Sequence, residues 1–486
     1  MIGKVHAQRY GKQSSHQSLS KIALAISCCL AAQFAHAESA QIEQDNSTNP
    51  PSLSIEGNED NSSWLMYGKW GKWTNVTATS DQKRSDITGI QLTSDSRESN
   101  VFEVVGDTNV YLMGIAKDDG SAGNIEGICI SQGKTDPRIQ ATFNNVKIYA
   151  ESTDPQRSRG KGLWIGGMHD ISHDDETVHE HPEVAIKGNL DITAKSLGWA
   201  IGIDVGDELG DNNGHGGGHL TLSGANNTIF VQQTGSPDSE RHLRASAGIL
   251  ISNQASVDIV GGNTMIKTIT NHAGDQATMQ GGVIVDRDAS FTSAGSLVID
   301  STVTDSSKTH TLHGVVTDHY ASSAYVADKG SVAILNGPTS ITLRTNKKTY
   351  AYGLAAYGAS TITTNGMVDI ALDDSQSTIG GVYEFSGVYA GISFDSGTVA
   401  KNSGHVELNR GLRVTLPKGS KFGMRNYYAM KASGEYTKRP KRKPTILANG
   451  DELDVYQLQG NLYAEYRGII DLTMANGQSY LTGLGQ

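Results

Sequence analysis

The sequence is poor in cysteine, proline, aromatic residues and charge, and it lacks a long apolar run. Only 3 of its 486 residues are Cys and 10 are Pro, while aromatic residues make up 6% and charged residues 19%. Without an apolar run of ~20 residues the chain does not read as a multi-span membrane protein. Scarce Pro excludes a collagen, although 56 residues are Gly. Recurrent short runs of Val, Ile, Leu and Tyr argue against wholesale disorder, so a Gly-punctuated, strand-rich protein remains.

The first 37 residues have the layout of a secretory signal peptide. Four basic residues and no acidic one precede or enter an apolar stretch, IALAISCCLAAQFA at 22–35. Ala35 and Ala37 then form a small-residue cleavage signal before Glu38. At ~14 residues the apolar stretch is too short for a transmembrane anchor. We therefore predict export, with residues 1–37 removed.

Removal of this segment changes the charge and the cysteine count. The formal net charge goes from -11 to -15, because Lys4, Arg9, Lys12 and Lys21 leave without an acidic residue. Cys129 is then the one remaining cysteine, which excludes an internal disulfide. The acidic balance argues against nucleic acid as a partner, since phosphate binding needs clustered Lys and Arg.

The region after the signal peptide divides into a short leader and one long domain. Residues 38–63 are polar and contain a Pro pair, so we predict a flexible leader there. Folded structure is expected to begin near Trp64, where WLMYGKWGKW brings three Trp together. We interpret this cluster as a cap on one end of the fold, with carbohydrate stacking as the alternative. Residues 64–486 are predicted to form one domain.

A short signature recurs nine times in the sequence. It consists of Gly, then an aliphatic residue, then a stretch in which apolar and polar residues alternate. The glycines of successive copies are separated by 32 to 46 residues, which is typical of repeat proteins. These repeat glycines are Gly89, Gly127, Gly162, Gly202, Gly248, Gly282, Gly314, Gly353 and Gly387. The copy at 353–374, GLAAYGASTITTNGMVDIALDD, contains three short strands separated by Gly, Ala and Asn-Gly corners. We attribute the Gly, Asn and Ser residues at the corners to sharp bends that need a positive φ.

Three short strands per repeat predict an all-β fold, a right-handed parallel β-helix (solenoid) of stacked three-strand coils. Each strand would pair with its equivalent in the next coil, and inward Val, Ile, Leu and Ala would share one core. A β-sandwich or a propeller is the alternative. Those folds predict frequent two-residue Asn-Gly turns, whereas within the repeats Asn-Gly occurs only at 213–214, 336–337 and 365–366.

The signal peptide, the scarcity of Cys and units such as YGLAAYGASTITTNGMVDIALDD resemble the passenger domains of autotransporters, the type V secretion family of Gram-negative bacteria, in their pertactin-like β-helical form. The tail GNLYAEYRGIIDLTMANGQSYLTGLGQ (460–486) resembles the segment that ends such passengers. The resemblance covers residues 64–486. It implies a β-helix that crosses the outer membrane unfolded and acts at the cell surface or after secretion, as an adhesin, toxin or protease.

One expected part of an autotransporter does not follow. Members of the family end in a membrane β-barrel with ~10-residue alternating strands, and the passenger-like pattern here still runs at Gln486. We therefore expect a passenger that lacks its C-terminal barrel, with a separate outer-membrane β-barrel as a candidate partner, or an inert remnant of a broken gene.

Two groups of histidines could in principle ligate Zn²⁺ or Ni²⁺. The first is His169, His173, His179 and His181, and the second is His215 and His219. Their spacing matches no closed ligand set, so we predict no metal site and no cofactor. The loops at 169–183 and 204–219 are instead expected to make contacts with partners.

Only one pair of residues, Asp286 and Asp318, is a candidate for catalysis. No Gly-rich nucleophile motif is present, and Ser296 and Ser360 lie at repeat corners. Asp286 and Asp318 each follow a repeat Gly by four residues and could be neighbours, although the next copy has Tyr357 there. We expect such outward Asp side chains to be solvated. The basic run EYTKRPKRKPT (435–445) is interpreted as a solvated loop, with a protease-sensitive or polyanion-binding loop as the alternative.

These observations favour an exported, non-enzymatic interaction protein that binds host or bacterial cell-surface molecules, protein or glycan, at the outer membrane or after secretion. No catalytic residue is assigned. The competing hypothesis is a β-helical enzyme that degrades polysaccharide, which the Asp286 and Asp318 pair would serve.

Overall fold

All of the secondary structure described by the computed structural model is β-strand. Among these residues there is no helix with the length and apolarity needed to cross a membrane. The described residues are 41–57, 64–67, 70–80, 87–94, 100–114, 124–133, 137–153, 159–168, 181–206, 215–233, 246–271, 279–305, 310–318, 330–345, 349–357, 360–373, 384–391, 405–415, 430–432, 442–446, 452–456, 464–466, 469–473 and 479–480.

One parallel ladder, ladder 1, contains the strands that carry the repeat glycines. Its order along the sheet follows the order along the chain. Ladder 1 consists of β3 (Trp64–Tyr67), β6 (Ile87–Thr93), β8 (Asn124–Gln132), β10 (Arg159–Met168), β13 (Trp199–Val205), β17 (Ser246–Ile251), β20 (Met279–Val285), β23 (His310–Thr317), β26 (Thr349–Tyr357), β29 (Glu384–Gly391) and β32 (Met430–Ala432), with the short β14 (His215–Gly216) antiparallel to β10.

Two further parallel ladders belong to a second, 23-stranded sheet. Ladder 2 contains β4 (Gly71–Trp73), the first part of β7 (Val101–Gly114) and of β9 (Gln140–Ser152), β11 (Glu183–Ile186), β15 (His219–Leu222), β18 (Ser256–Ile259), β21 (Ser290–Ser293), β24 (Val332–Leu335), β27 (Thr361–Thr364), β30 (His405–Leu408) and β35 (Ala464–Tyr466). Ladder 3 contains β2 (Ser52–Glu56), β5 (Val76–Ser80), the second part of β7 and of β9, β12 (Leu190–Ser196), β16 (Asn226–Gln233), β19 (Asn263–Asn271), β22 (Ser296–Asp305), β25 (Thr339–Thr345), β28 (Met367–Asp373), β31 (Gly411–Thr415) and β36 (Ile469–Thr473).

The remaining strands pair antiparallel at the ends of the stack. β1 (Gln41–Asp45) pairs with β2, β37 (Ser479–Tyr480) pairs with β36, and β33 (Arg442–Ile446) with β34 (Glu452–Tyr456) forms a separate hairpin. The predicted all-β class is thus confirmed, and the strands stack in parallel in a solenoid-like arrangement. Part of the basic run lies in strand β33 rather than in a loop.

The sequence predicts that folded structure begins near Trp64. The stack begins earlier than that, at strand β2. Leu53 and Ile55 alternate with polar residues in β2, and both are buried in the same core as the rest of the chain. Trp73 is buried in this core, and Trp70 packs against it. A row of alternating apolar residues therefore extends the ladder into residues 38–63.

The two sheets differ in how their strands are buried. Strands of ladders 2 and 3 alternate between buried and exposed residues, as in β19, because one face packs on the core and the other faces solvent. Several strands of ladder 1 are buried on both faces, as in β13 and β17. Their sequences accordingly read as continuous apolar runs such as GILI and GVIV.

The repeat glycines form a column along ladder 1, opposite a column of aliphatic side chains in ladder 3. A Cβ added to any of the first eight would lie 2.1–2.6 Å from the facing Val or Ile and 2.5–2.9 Å from the carbonyl oxygen of the next glycine. None of the nine has a positive φ. These glycines are needed because the two sheets approach too closely for a side chain. Glycines at corners form a separate group: Gly206 and Gly262 have φ values of 105° and 73°, as predicted for sharp bends.

Asparagine side chains stack at the short corner between ladders 2 and 3. Asn365 donates to Asn336 over 2.7 Å, and Asn409 donates to Asn365 over 2.9 Å. The same corner in earlier repeats has the Asn145 side-chain oxygen accepting from the backbone N–H of Asn189. These contacts satisfy the polar groups of a tight turn and fix the register of neighbouring repeats.

Candidate functional site

The face of ladder 1 that points away from the core is buried and holds a second apolar cluster. Its members alternate along the strands with core residues, as Leu250 does between Ile249 and Ile251. The cluster comprises Ile201, Ala247, Leu250, Ile284, Val316, Tyr352, Ala355 and Tyr357. Polar side chains on this face are therefore shielded from water, which strengthens their mutual electrostatic interactions.

One polar group on this face is centred on a buried ion pair. Lys161 Nζ on β10 lies 2.9 Å from Asp204 Oδ2 on the adjacent β13, and the two side chains are 4% and 0% exposed. The Lys161 ammonium also lies 5.6 Å from the centre of the Trp164 ring. Burial, reinforced by Glu126, raises the pKa of the nearby Cys129 thiol well above its ordinary value, while Lys161 acts in the opposite direction.

A second polar group lies further along the same face. His313 Nε2 and the Tyr357 hydroxyl are 3.2 Å apart, with the rings edge to face. The Tyr352 ring packs against the same imidazole at 5.6 Å. Burial lowers the pKa of His313 to about 3. The imidazole is therefore neutral at pH 7.

Asp286 and Asp318 are neighbours in the stack, as the sequence predicts. Asp286 N–H donates to Ile251 in the preceding strand, and Asp318 N–H donates to Val285 in the same way. Both carboxylates are buried, with exposures of 2% and 1%. The expectation that they are solvated is wrong, because this face of ladder 1 is covered.

The backbone beside Asp286 is strained. Arg287 and Asp288 have φ values of 55° and 61°, and Asn253 and Gln254 have 52° and 63° at the equivalent corner of the preceding repeat. Left-handed backbone at non-Gly residues is unfavourable and is often found near functional sites. Asp286 Oδ1 accepts the Arg287 backbone N–H over 2.8 Å, which helps to hold this turn.

Ser360 has a structural role, in line with its interpretation as a corner residue. Its hydroxyl donates to the Thr317 carbonyl oxygen over 2.9 Å, and it also contacts the Thr317 hydroxyl and the Tyr357 carbonyl. Ser296 begins β22, and its N–H donates to Gly262. Both serines therefore serve turns of the repeat.

The exposed face of ladder 3 carries an aromatic platform that the sequence argument missed. The Tyr111 and Tyr149 rings stack in register on β7 and β9, 5.0 Å apart with 14° between their planes, and Tyr111 is 43% exposed. Lys195 on β12 lies 5.0 Å from the centre of the Tyr149 ring and 3.2 Å from its hydroxyl. Both tyrosines follow their repeat glycine by 22 residues, a shared offset that could have identified the pair.

The Tyr149 side chain is held in place by charged neighbours. Its hydroxyl donates to the Glu151 carboxylate. Burial, and then this hydrogen bond, raise the pKa of Tyr149 well above its ordinary value. The hydroxyl therefore stays protonated, and the ring is presented in one orientation at the surface.

Further along, the same face is lined by charges and apolar side chains. Met265 and Val298 are exposed register partners on β19 and β22. Arg344 bridges Asp300 and Asp373 at 3.1 and 3.0 Å. The face is thus flat and chemically mixed, with its side chains fixed in rows by the strand register.

The histidine groups are only partly described. His169, His173 and His179 lie outside the described residues, and so do Ala35, Ala37 and Glu38 of the predicted cleavage site. His215 lies in β14, and His181 and His219 are described. His219 contacts Ser256 at 2.6 Å, Thr221 at 3.0 Å and Asp258 at 3.7 Å. Within the described ranges no group of three or more His, Cys, Asp or Glu residues could hold a metal ion.

The loops expected to contact partners fall largely outside the described part of the chain. Residues 169–180 and 207–214 belong to this group.

Comparison of the chain with family models, with curated proteins and with solved structures gave no match.

Proposed function

We propose that this chain is an exported, non-enzymatic contact protein that binds cell-surface protein or glycan through the exposed face of ladder 3. The observation that carries the proposal is the Tyr111–Tyr149 platform. Two stacked, in-register aromatic rings lie on a rigid sheet and are flanked by Lys195. Aromatic side chains on a rigid support supply large contact area at a low cost in conformational entropy.

The shape of the face also supports an extended contact. The face extends over successive repeats, because each strand of ladder 3 pairs in register with the next. Its exposed apolar residues, including Met265 and Val298, lie between charged ones. Rings can stack on sugar or peptide groups, while charged residues at the rim provide specificity and steering.

We infer that the stack is a right-handed β-helix with three strands per coil, as in the autotransporter passengers that the sequence resembles. Chain order supports the inference, because from β10 to β31 the chain visits ladders 1, 2 and 3 in turn before it returns to ladder 1. About 98% of crossovers between parallel strands of one sheet are right-handed. An experimental structure with left-handed coils would overturn this inference.

The signal-peptide pattern supports export, and the resemblance to autotransporter passengers supports placement at the outer membrane or in the medium. The predicted mature charge of -15 gives partners with basic or neutral surfaces an advantage over anionic ones. Cell-surface proteins and neutral glycans are therefore the partner classes to test first.

The direct test is binding of fluorescently labelled full-length protein to intact epithelial cells and to intact Gram-negative bacteria. We expect saturable binding to at least one cell type. The double variant Tyr111→Ser, Tyr149→Ser should weaken it about tenfold or more, since central aromatic contacts are often worth 2 kcal/mol or more.

A matched control lies on the same face but away from the platform. Asp369 and Arg413 form an exposed ion pair at 3.1 Å on β28 and β31. The double variant Asp369→Ser, Arg413→Ser should bind like the unaltered protein. Absence of saturable binding by the unaltered protein would contradict the contact function. An equal loss in both variants would show that the platform is not the contact.

A second candidate function, degradation of polysaccharide, rests on Asp286 and Asp318, which occupy equivalent positions in successive repeats, with a strained turn beside Asp286. Two adjacent carboxyl groups can serve as acid and base in glycoside cleavage. Turnover on a glycan panel that disappears in both Asp286→Asn and Asp318→Asn would support the enzyme. No turnover by the unaltered protein would leave the contact function as the better account.

A further inference from the structure

The buried pair of Lys161 and Asp204 has the makings of a covalent cross-link. The two residues lie on adjacent strands of ladder 1, and Nζ is 2.9 Å from Oδ2. That oxygen is bonded to the carboxyl carbon Cγ, so the amine is already next to the carbon it would attack. Positioning of this kind replaces an encounter between separate molecules and lowers the barrier to such a reaction.

The surroundings of the pair are apolar. Ile201 is the register partner of Lys161, and Leu250 is the register partner of Asp204, both within the buried outer cluster. The Trp164 ring lies beside the ammonium. Two charges without water gain little from their attraction, because each has lost its hydration. Proton transfer from ammonium to carboxylate, which leaves a neutral amine and a neutral acid, is correspondingly cheaper here than in water.

A third ionisable group adjoins the pair. Glu126 on β8 is the register partner of Lys161 on its other side. Register partners in a parallel ladder point to the same side of the sheet, so the Glu126 and Lys161 side chains are neighbours on this face. A carboxylate in this position can accept a proton from the attacking amine and return it to the leaving oxygen.

We propose that Lys161 and Asp204 join in an intramolecular amide (isopeptide) bond, with Glu126 as the proton relay. Neutral Lys161 Nζ attacks Asp204 Cγ, and the new C–N bond forms as one C–O bond breaks. The departing oxygen leaves as water, carrying the acid proton and one amine proton passed through Glu126. Ammonium plus carboxylate gives amide plus water, so charge and atoms balance. No oxidant or other co-reactant is needed.

The bond would join β10 to β13 and hence two successive repeats. It would close the chain between residues 161 and 204 and hold this part of ladder 1 together when the remainder unfolds. This modification is independent of the contact function proposed above, since it would form whether or not the protein binds cells.

The test is peptide mapping of the purified full-length protein after denaturation and digestion with trypsin. The linked protein gives one branched peptide, in which residues 160–187 are attached to residues 196–241. Its mass is lower than the sum of the two peptides by one water molecule, and fragmentation places the branch at Lys161 and Asp204. Cleavage after Lys161, with residues 162–187 and 196–241 recovered as separate peptides of full mass, would overturn the proposal.

Three variants test the chemistry. Lys161→Arg keeps the positive charge and the ion pair but has no ε-amine to acylate, so trypsin should cleave after position 161 and release residues 162–187 and 196–241 separately. Asp204→Asn should still give the branched peptide, with ammonia lost in place of water. Glu126→Gln should leave most of the protein unlinked while its circular dichroism spectrum matches that of the unaltered protein. Full linkage in Glu126→Gln would overturn the relay, and a water loss that maps elsewhere would overturn the bond.

Discussion

The column of repeat glycines in ladder 1 gives a sharp prediction about stability. A Cβ at Gly248 would lie 2.1 Å from Ile266 Cγ2 and 2.6 Å from the Gly282 carbonyl oxygen. Neither group has room to retreat, because Ile266 is fully buried and Gly282 is the next member of the same column. Overpacking of this kind costs about 1–3 kcal/mol. The smaller entropy of an unfolded chain with Ala offsets at most about 1 kcal/mol of this.

We therefore expect Gly248→Ala to lower the free energy of unfolding by about 1–2 kcal/mol net. Gly261→Ala is the matched control, because a Cβ at Gly261 meets no atom within 4 Å and its φ is not left-handed. This control should be neutral or stabilising by up to about 1 kcal/mol. The double variant Gly248→Ala, Ile266→Ala should lose less than the sum of its two single variants, since Ile266 supplies part of the clash.

Urea unfolding followed by circular dichroism provides the measurement. Midpoints are the quantity to compare, because stacked repeats need not unfold in a single two-state step. A lower midpoint for Gly248→Ala alone supports the reasoning. Equal midpoints for Gly248→Ala and Gly261→Ala would refute the claim that close approach of the sheets selects glycine in this column.

Three further predictions concern buried and stacked side chains. Because the pKa of His313 falls to about 3 on folding, the unfolded chain binds a proton that the folded chain rejects. Stability should then fall by up to about 1.4 kcal/mol per pH unit below pH ~6.5, and His313→Phe should flatten that slope; an unchanged slope would contradict this. Asn365→Ala removes side-chain hydrogen bonds of 2.7 and 2.9 Å. It should lower the free energy of unfolding in urea by about 1–2 kcal/mol. An unchanged unfolding midpoint would show that the asparagine stack does not contribute to stability. Burial raises the pKa of Cys129 well above its ordinary value, so a thiol reagent should modify Cys129 only after unfolding, and rapid labelling of the native protein would argue against its burial.

Sequence periodicity predicted much of the fold because the repeat spacing reflects the stacking itself. The glycine signatures identify strands of ladder 1. The close packing that requires the repeat glycines was not predicted, since a sequence does not show how closely two sheets approach. Strand β2 was missed because Leu53 and Ile55 give only a short alternating pattern in a polar stretch.

The candidate sites were harder to predict. Asp286 and Asp318 share an offset from their repeat glycines, so their adjacency was readable, but their burial depends on what covers ladder 1. The continuous apolar runs of that ladder are the signal that could have revealed this second buried face. Lys161 and Asp204 lie at different offsets from their repeat glycines and meet diagonally across two adjacent strands. A search for residues that share one offset therefore does not find this pair.

The central claim is that the exposed face of ladder 3 is the contact surface. Cys129 is the one cysteine outside the predicted signal peptide, and it is buried. An introduced surface cysteine can therefore be modified selectively. Thr193 on β12 adjoins the tyrosine platform, whereas Thr292 on β21 lies in ladder 2.

The most direct measurement is cell binding by Thr193→Cys and Thr292→Cys after each has been coupled to a bulky polyethylene glycol maleimide. The polymer at position 193 should abolish binding, and the polymer at position 292 should leave most of it intact. Equal binding by the two conjugates would contradict the assignment of ladder 3 as the contact surface.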